Sequence, residues 1–365
     1  MLASDPTTTA RKGTLRHVVC CLLPQLLIGL LVLGIWRGGL WLLPLTIFLM
    51  VLVPLLDLLT GWEDDEHFEK SDFSRVQVAL LRWNTRLYAI GYMVALVYVV
   101  LNIDRFSGLE FGLLVSGMGL VGGVGFGCAH ELLHAPGRID QMLQKIMTVF
   151  LFYPHYKLIH IRSHHHHAGT DHDENTAWMN ESIYSYLFRT IPGSMVRCWQ
   201  MEAKRHRAVS RESFLKGFFM NKMVPYALGQ VILLVALCVF AGPMGLLFYG
   251  AQLVVGHLIL ESVNYIQHYG LLRKRRDGKY ERTGPEHSWD TYHFFSSYIT
   301  FRVGHHSYHH IAVQPYYLLD PEPEAPKLPV GYFWAIPIVL LPPVWRRWIN
   351  PRLEAPGGQV EVAPG

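Results

Sequence analysis

The 365-residue chain is 51% hydrophobic and only 16% charged, with a formal net charge of +4 at pH 7. So few charges, with the apolar residues gathered in long blocks, exclude an ordinary soluble domain and point to a membrane protein. The near-neutral balance also excludes a general nucleic-acid surface, so no nucleic acid is expected as a partner.

Residues 1–16 are polar and carry Arg11, Lys12 and Arg16 ahead of a first apolar run, 18–36. That run is long and no small-residue cleavage site follows it, so it reads as an uncleaved membrane helix rather than a signal peptide. A second run, 40–59, follows after only Arg37, Gly38 and Gly39, which makes a tight helical hairpin. A mixed-charge segment from Thr60 to Arg86 leads to the third and fourth runs, 87–103 and 111–129. The fourth holds Gly117, Gly119, Gly122, Gly123, Gly125 and Gly127, which allows close helix packing. After a long polar region, 130–223, a further hairpin is built from runs 224–240 and 246–265. The apolar piece from Tyr332 to Val344 is interrupted by Pro337, Pro342 and Pro343 and is not counted as spanning.

The expected fold is therefore an all-α integral membrane protein with six transmembrane helices. One domain covers residues 17–353, between an N-terminal tail (1–16) and a C-terminal tail (354–365). The hairpin turns carry Arg37, Arg105 or no basic residue, whereas the opposite side carries Arg11, Lys12, Arg16, Lys70, Arg75 and the basic residues of both long polar regions. By the positive-inside rule, both termini and every histidine stretch lie in the cytoplasm.

Twenty histidines are a clear excess, and imidazole is the commonest metal-ligating side chain. His130 and His134 directly follow the fourth run and face one side if that helix continues. His160 and His164 are one helical turn apart, with His165 about 100° round from His164. His268 lies just past the sixth run, and His306, His309 and His310 repeat an i, i+3, i+4 face. These nine imidazoles exceed what one metal takes and suit two. Nitrogen ligands at a membrane favour iron doing oxygen chemistry. His166, His167, His172, His287, His293 and His305 are read as supporting or solvated.

His257 and Glu261 precede His268 on roughly one helix face. A carboxylate within a membrane helix is expensive and usually functional, so Glu261 is expected to hydrogen-bond a ligand histidine. Two non-oxidative rivals remain open. HELLH fits a zinc protease with Glu131 as general base, although such a site needs only three protein ligands. A metal transporter would place its ligands near the membrane midplane instead. The five cysteines form no CxxC pair, so the chain has no iron–sulfur or rubredoxin-type site and takes its electrons from elsewhere.

HELLH at 130–134, HIRSHH at 160–165, NYIQHYGLLR at 264–273 and HSYHH at 306–310 resemble the membrane-bound non-haem di-iron alkane monooxygenases. That family includes xylene monooxygenase and sits in the fatty-acid desaturase-like superfamily. Weaker likenesses run through GPEHSWD at 284–290, APKLPVGY at 325–332 and PPVWRRWINPR at 342–352. The resemblance implies a cytoplasmic di-iron site held by the nine histidines, in a bacterial inner membrane. It implies O2 as co-substrate and a hydrophobic channel for an alkyl chain. A rubredoxin or ferredoxin-type donor with its reductase would bring electrons ultimately from NAD(P)H. The reaction implied is oxidation of the terminal C–H of a medium-chain alkane or alkyl group, with Glu261 and Asn264 as catalytic candidates.

Typical alkane hydroxylases have Glu where this chain has Ile159 and Gln267, and a basic residue where it has Ala135. The alternative is a fatty-acid-acting relative, a terminal-alkene-forming decarboxylase or a desaturase. That reading needs a cation for the carboxylate, with Arg162, Lys157 and Arg302 as candidates.

Overall fold

The computed structural model describes residues 6–63, 67–209 and 214–353. The expected C-terminal tail, 354–365, lies outside the described residues, as do the first five residues of the N-terminal tail. Six helices are long and apolar enough to cross a membrane: Gly13–Arg37, Gly39–Thr60, Arg75–Leu101, Gly108–His134, Met223–Phe240 and Gly242–His268. They coincide with the six apolar runs.

Several begin earlier or end later than those runs, because a helix continues while its backbone hydrogen bonds do, whatever the side chains. The third starts at Arg75, where Ser74 accepts the Gln77 N–H (3.2 Å) and the Gln77 side chain accepts the Ser74 N–H (2.8 Å). That reciprocal cap satisfies two donors the helix leaves open. The fourth and sixth extend to His134 and His268, so their last turns carry the histidines out of the apolar zone. The first span is interrupted ahead of Pro24, giving helices Pro6–Cys21 and Pro24–Arg37.

The short turns gather at one end of the bundle. Gly38 and Gly39 take φ of 68° and 56°, a backbone that side chains with a Cβ rarely adopt. The Gly39 N–H then donates to Glu110 at the start of the fourth span (2.6 Å). All histidine stretches lie at the opposite end.

The fourth and sixth spans make the closest helix contact. A Cβ on Gly119 would sit 2.8 Å from the Gln252 carbonyl oxygen, and one on Gly123 would sit 2.6 Å from Ile259 Cβ. Gly256 faces back, with a Cβ there 3.3 Å from the Gly119 carbonyl oxygen. Three glycines thus let the two backbones approach, and the separation of their histidine-bearing ends follows from it.

The remaining chain closes that end. The polar region forms helices Arg138–Phe150 and Ile183–Val209, with a short helical segment from Tyr156 to His167 between them. Tyr332–Val339 packs against the sixth span without crossing, with Trp334 Nε1–H donating to the Pro54 carbonyl (3.0 Å). Just beyond the second span, buried Glu63 accepts from Arg302 (3.1 Å), His305 (2.9 Å) and Ser297 (2.8 Å). Burial pushes the Glu63 carboxyl up, but Arg302 and His305 overcome this and hold its pKa at about 2. This ion pair ties the second span to the segment leading into His306.

Gly119→Ala is expected to destabilise the detergent-solubilised protein by roughly 1–3 kcal/mol through overpacking, read as a lowered unfolding midpoint. Gly112→Ala on the same span meets open space and should leave the midpoint unchanged. Equal midpoints for both variants would contradict the packing role given to Gly119.

Candidate metal centre

His130 and His134 sit on successive turns of the fourth span with ring centroids 5.0 Å apart. His160 to His164 form a π-helical turn, whose wider winding lets this one segment supply rings in two directions. His306 starts a short helix to Ile311 that is anchored by buried Asp290, which accepts from the Ser307 N–H (2.9 Å), the Ser307 hydroxyl and Tyr292 (2.7 Å).

These elements bring the histidines into two groups. His130, His134, His160 and His309 form one, and His164, His268, His306 and His310 the other. Within each group the ligating nitrogens all lie within 4.8 Å of one another. In the first, His130 Nε2 is 3.0 Å from Nε2 of both His160 and His309. In the second, His306 Nε2 is 3.0 Å from His268 Nε2 and 3.1 Å from His310 Nε2. His165 lies between the groups. Its Nε2 is 3.0 Å from His160 and 3.2 Å from His309, and its ring is 5.0 Å from that of His310.

This donor set fits metal ions. A neutral imidazole has one N–H, so several Nε2 atoms converging on one point cannot all be satisfied by each other. His134 Nε2 has no hydrogen-bond partner among the described residues. Burial, followed by the neighbouring imidazoles, pushes the pKa values of His160, His306, His309 and His310 well below the ordinary range. The same causes bring His165 to about 3. These five rings are therefore held toward the neutral form, which presents a lone pair.

The groups behind the rings differ in part from expectation. His164 Nδ1 lies 3.0 Å from buried Asp173, which also accepts from Thr176 (3.2 Å). His268 Nδ1 faces the His287 carbonyl (3.3 Å). Glu131 stands 3.8 Å from His130 Nδ1 and accepts the Tyr316 N–H (2.9 Å), so it braces the site instead of standing free as a base. Glu261 is fully buried, but its partner is Asn264 (3.3 Å), not a cluster histidine. It lies two helical turns, about 10 Å, before His268 and cannot reach that ring. His257 is held by the Leu151 carbonyl (2.8 Å).

Asp173 escaped the sequence reading. Its only signal is its place nine residues after His164, among Asp171 and Glu174, and nothing local distinguishes the buried acid from the other two. Of the remaining histidines, His287 and His305 are buried against Glu281 (3.2 Å) and Glu63 (2.9 Å). His293 contacts Thr291 (3.0 Å), while His166 and His172 are exposed.

A cavity between the fourth and sixth spans reaches His130, His160, His164 and His306. Its walls are mainly apolar, including Phe126, Ile259, Leu260, Phe333 and Ile336, with Asn264 and Gln267 among the polar groups. Among the described residues, no lysine, arginine or carboxylate lines it. Arg302 is spent on Glu63, while Arg162 bonds Glu202 and Lys157 bonds Gln141 at a separate outer cleft.

The fatty acid desaturase family matches residues 108–321. Alkane 1-monooxygenase 1 of Pseudomonas aeruginosa is 31% identical over 322 residues, covering 86% of this chain and 84% of that protein. Alkane 1-monooxygenase of Ectopseudomonas oleovorans is 33% identical over 330 residues, covering 88% and 78%. The hydroxylase component of xylene/toluene monooxygenase from Pseudomonas putida is 26% identical over 221 residues, covering 60% and 57%. The chain therefore belongs to the fatty acid desaturase family, on its alkane monooxygenase branch, and is an integral membrane oxidoreductase.

Proposed function

We propose that this protein is an O2-dependent non-haem di-iron monooxygenase that hydroxylates the terminal carbon of a medium-chain alkane or alkyl group. The observation that carries this reading is an uncharged cavity ending at both histidine groups. His130, His134, His160 and His309 would hold one iron, and His164, His268, His306 and His310 the other, with His165 placed between. Iron bound there supplies the reduction of O2 and the oxidation of the C–H bond.

The protein's own contribution is placement and dryness. Phe126, Ile259, Phe333 and Ile336 exclude water and guide an alkyl chain end-on toward the imidazoles. Asp173 accepts the Nδ1–H of His164, which leaves Nε2 as the donor atom. Asn264 lines the cavity with Glu261 directly behind it, and this pair is assigned the handling of a proton at the Glu261 carboxyl. All five cysteines are free. Electrons therefore arrive from a separate rubredoxin or ferredoxin-type protein with its reductase, ultimately from NAD(P)H. By charge distribution the histidine end faces the cytoplasm of a bacterial inner membrane.

Fatty-acid decarboxylation or desaturation is disfavoured by the same cavity, which offers no cation to a carboxylate. Purified protein with O2 and a rubredoxin reducing system, challenged with octane, dodecane, xylene and dodecanoic acid, decides between them. Two irons per chain and a primary alcohol are expected from an alkane or from xylene. Undecene and carbon dioxide from the acid would replace the alkane reading, and zinc without oxygen consumption would overturn the oxidative one. His268→Ala should abolish turnover and lower bound iron, and full iron with full turnover would remove it from the ligand set. Asp173→Asn should weaken iron binding roughly 10- to 100-fold while the fold persists; unchanged iron content on dialysis against a chelator would show that its bond to His164 is dispensable.

A further inference from the structure

Outside the histidine site, a cleft of about 600 Å³ opens between helix Arg138–Phe150, the segment from Tyr156 to His167, and the start of the fifth span. Lys145, Lys157, Arg162 and Lys222 all line it. No described carboxylate lines it; buried Glu202, behind Arg162, is already engaged by Arg162 and by Arg205 (3.5 Å). Lys157 bonds only the neutral amide of Gln141. Among the described residues no side-chain ion pair joins a carboxylate to Lys145, Lys157 or Lys222; Glu202 accepts the Lys222 backbone N–H (3.3 Å) and attracts its ammonium group, but carries one charge against four cations. Burial, then Lys145 and Lys222, lowers the Lys157 pKa, and all three lysines line the one cleft. Like charges held together in a concave site favour an anion that neutralises them.

The position of the cleft says which anion. Lys222 immediately precedes the fifth span, Met223–Phe240, so the cleft lies where that span leaves the bilayer. The span's outer face exposes Leu228, Val231, Ile232, Val235 and Val239, a surface suited to acyl chains. Beside it, Phe219 is 71% exposed, and Phe218 touches Trp199 with ring centroids 5.9 Å apart. Trp199 continues an exposed stripe of Tyr184, Phe188 and Met195 along helix Ile183–Val209. Aromatic groups set beside basic ones mark the membrane–water interface.

We propose that this cleft binds the phosphate headgroup of an anionic phospholipid. Ammonium and guanidinium groups supply charge-assisted hydrogen bonds to the phosphate oxygens, and the acyl chains run down the exposed face of the fifth span. The consequence reaches the histidine groups, because Lys157 and Arg162 flank His160 on one short segment. A bound headgroup neutralises the repulsion on that segment and holds it in place. The inference stands independently of the reaction proposed above.

The test compares the full-length protein with the double variant Lys145→Gln/Lys222→Gln, neither residue belonging to the histidine site. Both are delipidated in neutral detergent and titrated with phosphatidylglycerol, phosphatidylcholine or inorganic phosphate. Retained lipid is read by native mass spectrometry, alongside the unfolding midpoint and metal content. Phosphatidylglycerol should be retained by the unaltered protein and raise its midpoint, with binding on the order of tenfold weaker in the double variant. Metal content equal in the two proteins shows that the variant has folded; should it fail to fold, Lys145→Gln alone takes its place. Equal retention of phosphatidylglycerol by variant and unaltered protein overturns the proposal. So does equal retention of phosphatidylcholine, or a midpoint rise with inorganic phosphate as large as with the lipid. Loss of binding to an acidic electron-carrier protein with lipid retention unchanged would reassign the cleft to that partner and overturn the lipid reading.

Discussion

Everything at the histidine end depends on how closely the fourth and sixth spans approach. Backbone-to-backbone contact at Gly119, Gly123 and Gly256 sets their separation, and each span delivers its histidines from a final turn that needs no loop to position it. His130 and His134 come from one, His268 from the other. In hydrocarbon no hydrophobic effect drives helices together, so close packing is the main attraction available. A side chain at any of these glycines would move the two histidine groups relative to each other. The segment from His160 to His165 then bridges the gap and contributes to both groups. Its π-helical turn is a local departure from regular winding, of a kind that recurs at functional sites.

A second constraint is electrostatic. Nine imidazoles crowded together would repel one another if charged, and for His160, His306, His309 and His310 burial already disfavours protonation. The neutral state suits metal ligation, but it leaves the rings without charge pairs to hold them. The protein compensates with buried polar anchors behind them. Asp290 secures the helix that begins at His306, Asp173 orients His164, and Glu63 with Arg302 and His305 locks the approach to His306. A buried ion pair of that kind contributes little net stability compared with an apolar contact. Breaking it costs far more, because the remaining charge is stranded. Such anchors act mainly by fixing one geometry.

The six spans and the nine histidines were legible because both leave periodic or compositional marks. Apolar runs register the bilayer thickness, and the i, i+3, i+4 spacing of His306, His309 and His310 registers a helix face. Helix ends were less legible, since the third span starts at Arg75, twelve residues ahead of its apolar run, capped by Ser74 through side-chain hydrogen bonds that hydropathy does not weigh. Proximity in the chain misled where it was taken for proximity in space. Lys157, Arg162 and Arg302 all neighbour clustered histidines in the chain, yet side chains on a helix diverge by about 100° per residue. The first two point to an outer cleft and the third to Glu63. Glu261 shares a face with His268, but that shared face runs along the helix and separates the two by two turns. Asp173 belongs to an irregular loop, where no period links sequence position to direction.

The lining of the cavity bears most directly on substrate. Each methylene of an alkyl chain gains about 0.8 kcal/mol on leaving water for such walls, so a longer chain is drawn in more strongly and needs no polar contact. A carboxylate entering the same space would lose hydration worth several kcal/mol, with no lysine or arginine among the described lining residues to replace it. Gln267 sharpens this contrast. Its amide donates to the Val303 carbonyl (3.1 Å) and to Tyr332 (2.9 Å). An ionised glutamate there would face a carbonyl oxygen with no proton to offer. The amide satisfies the acceptor and removes a negative charge from the wall. Among the described residues the cavity wall beside His268 is thus uncharged, which favours an apolar chain over a carboxylate.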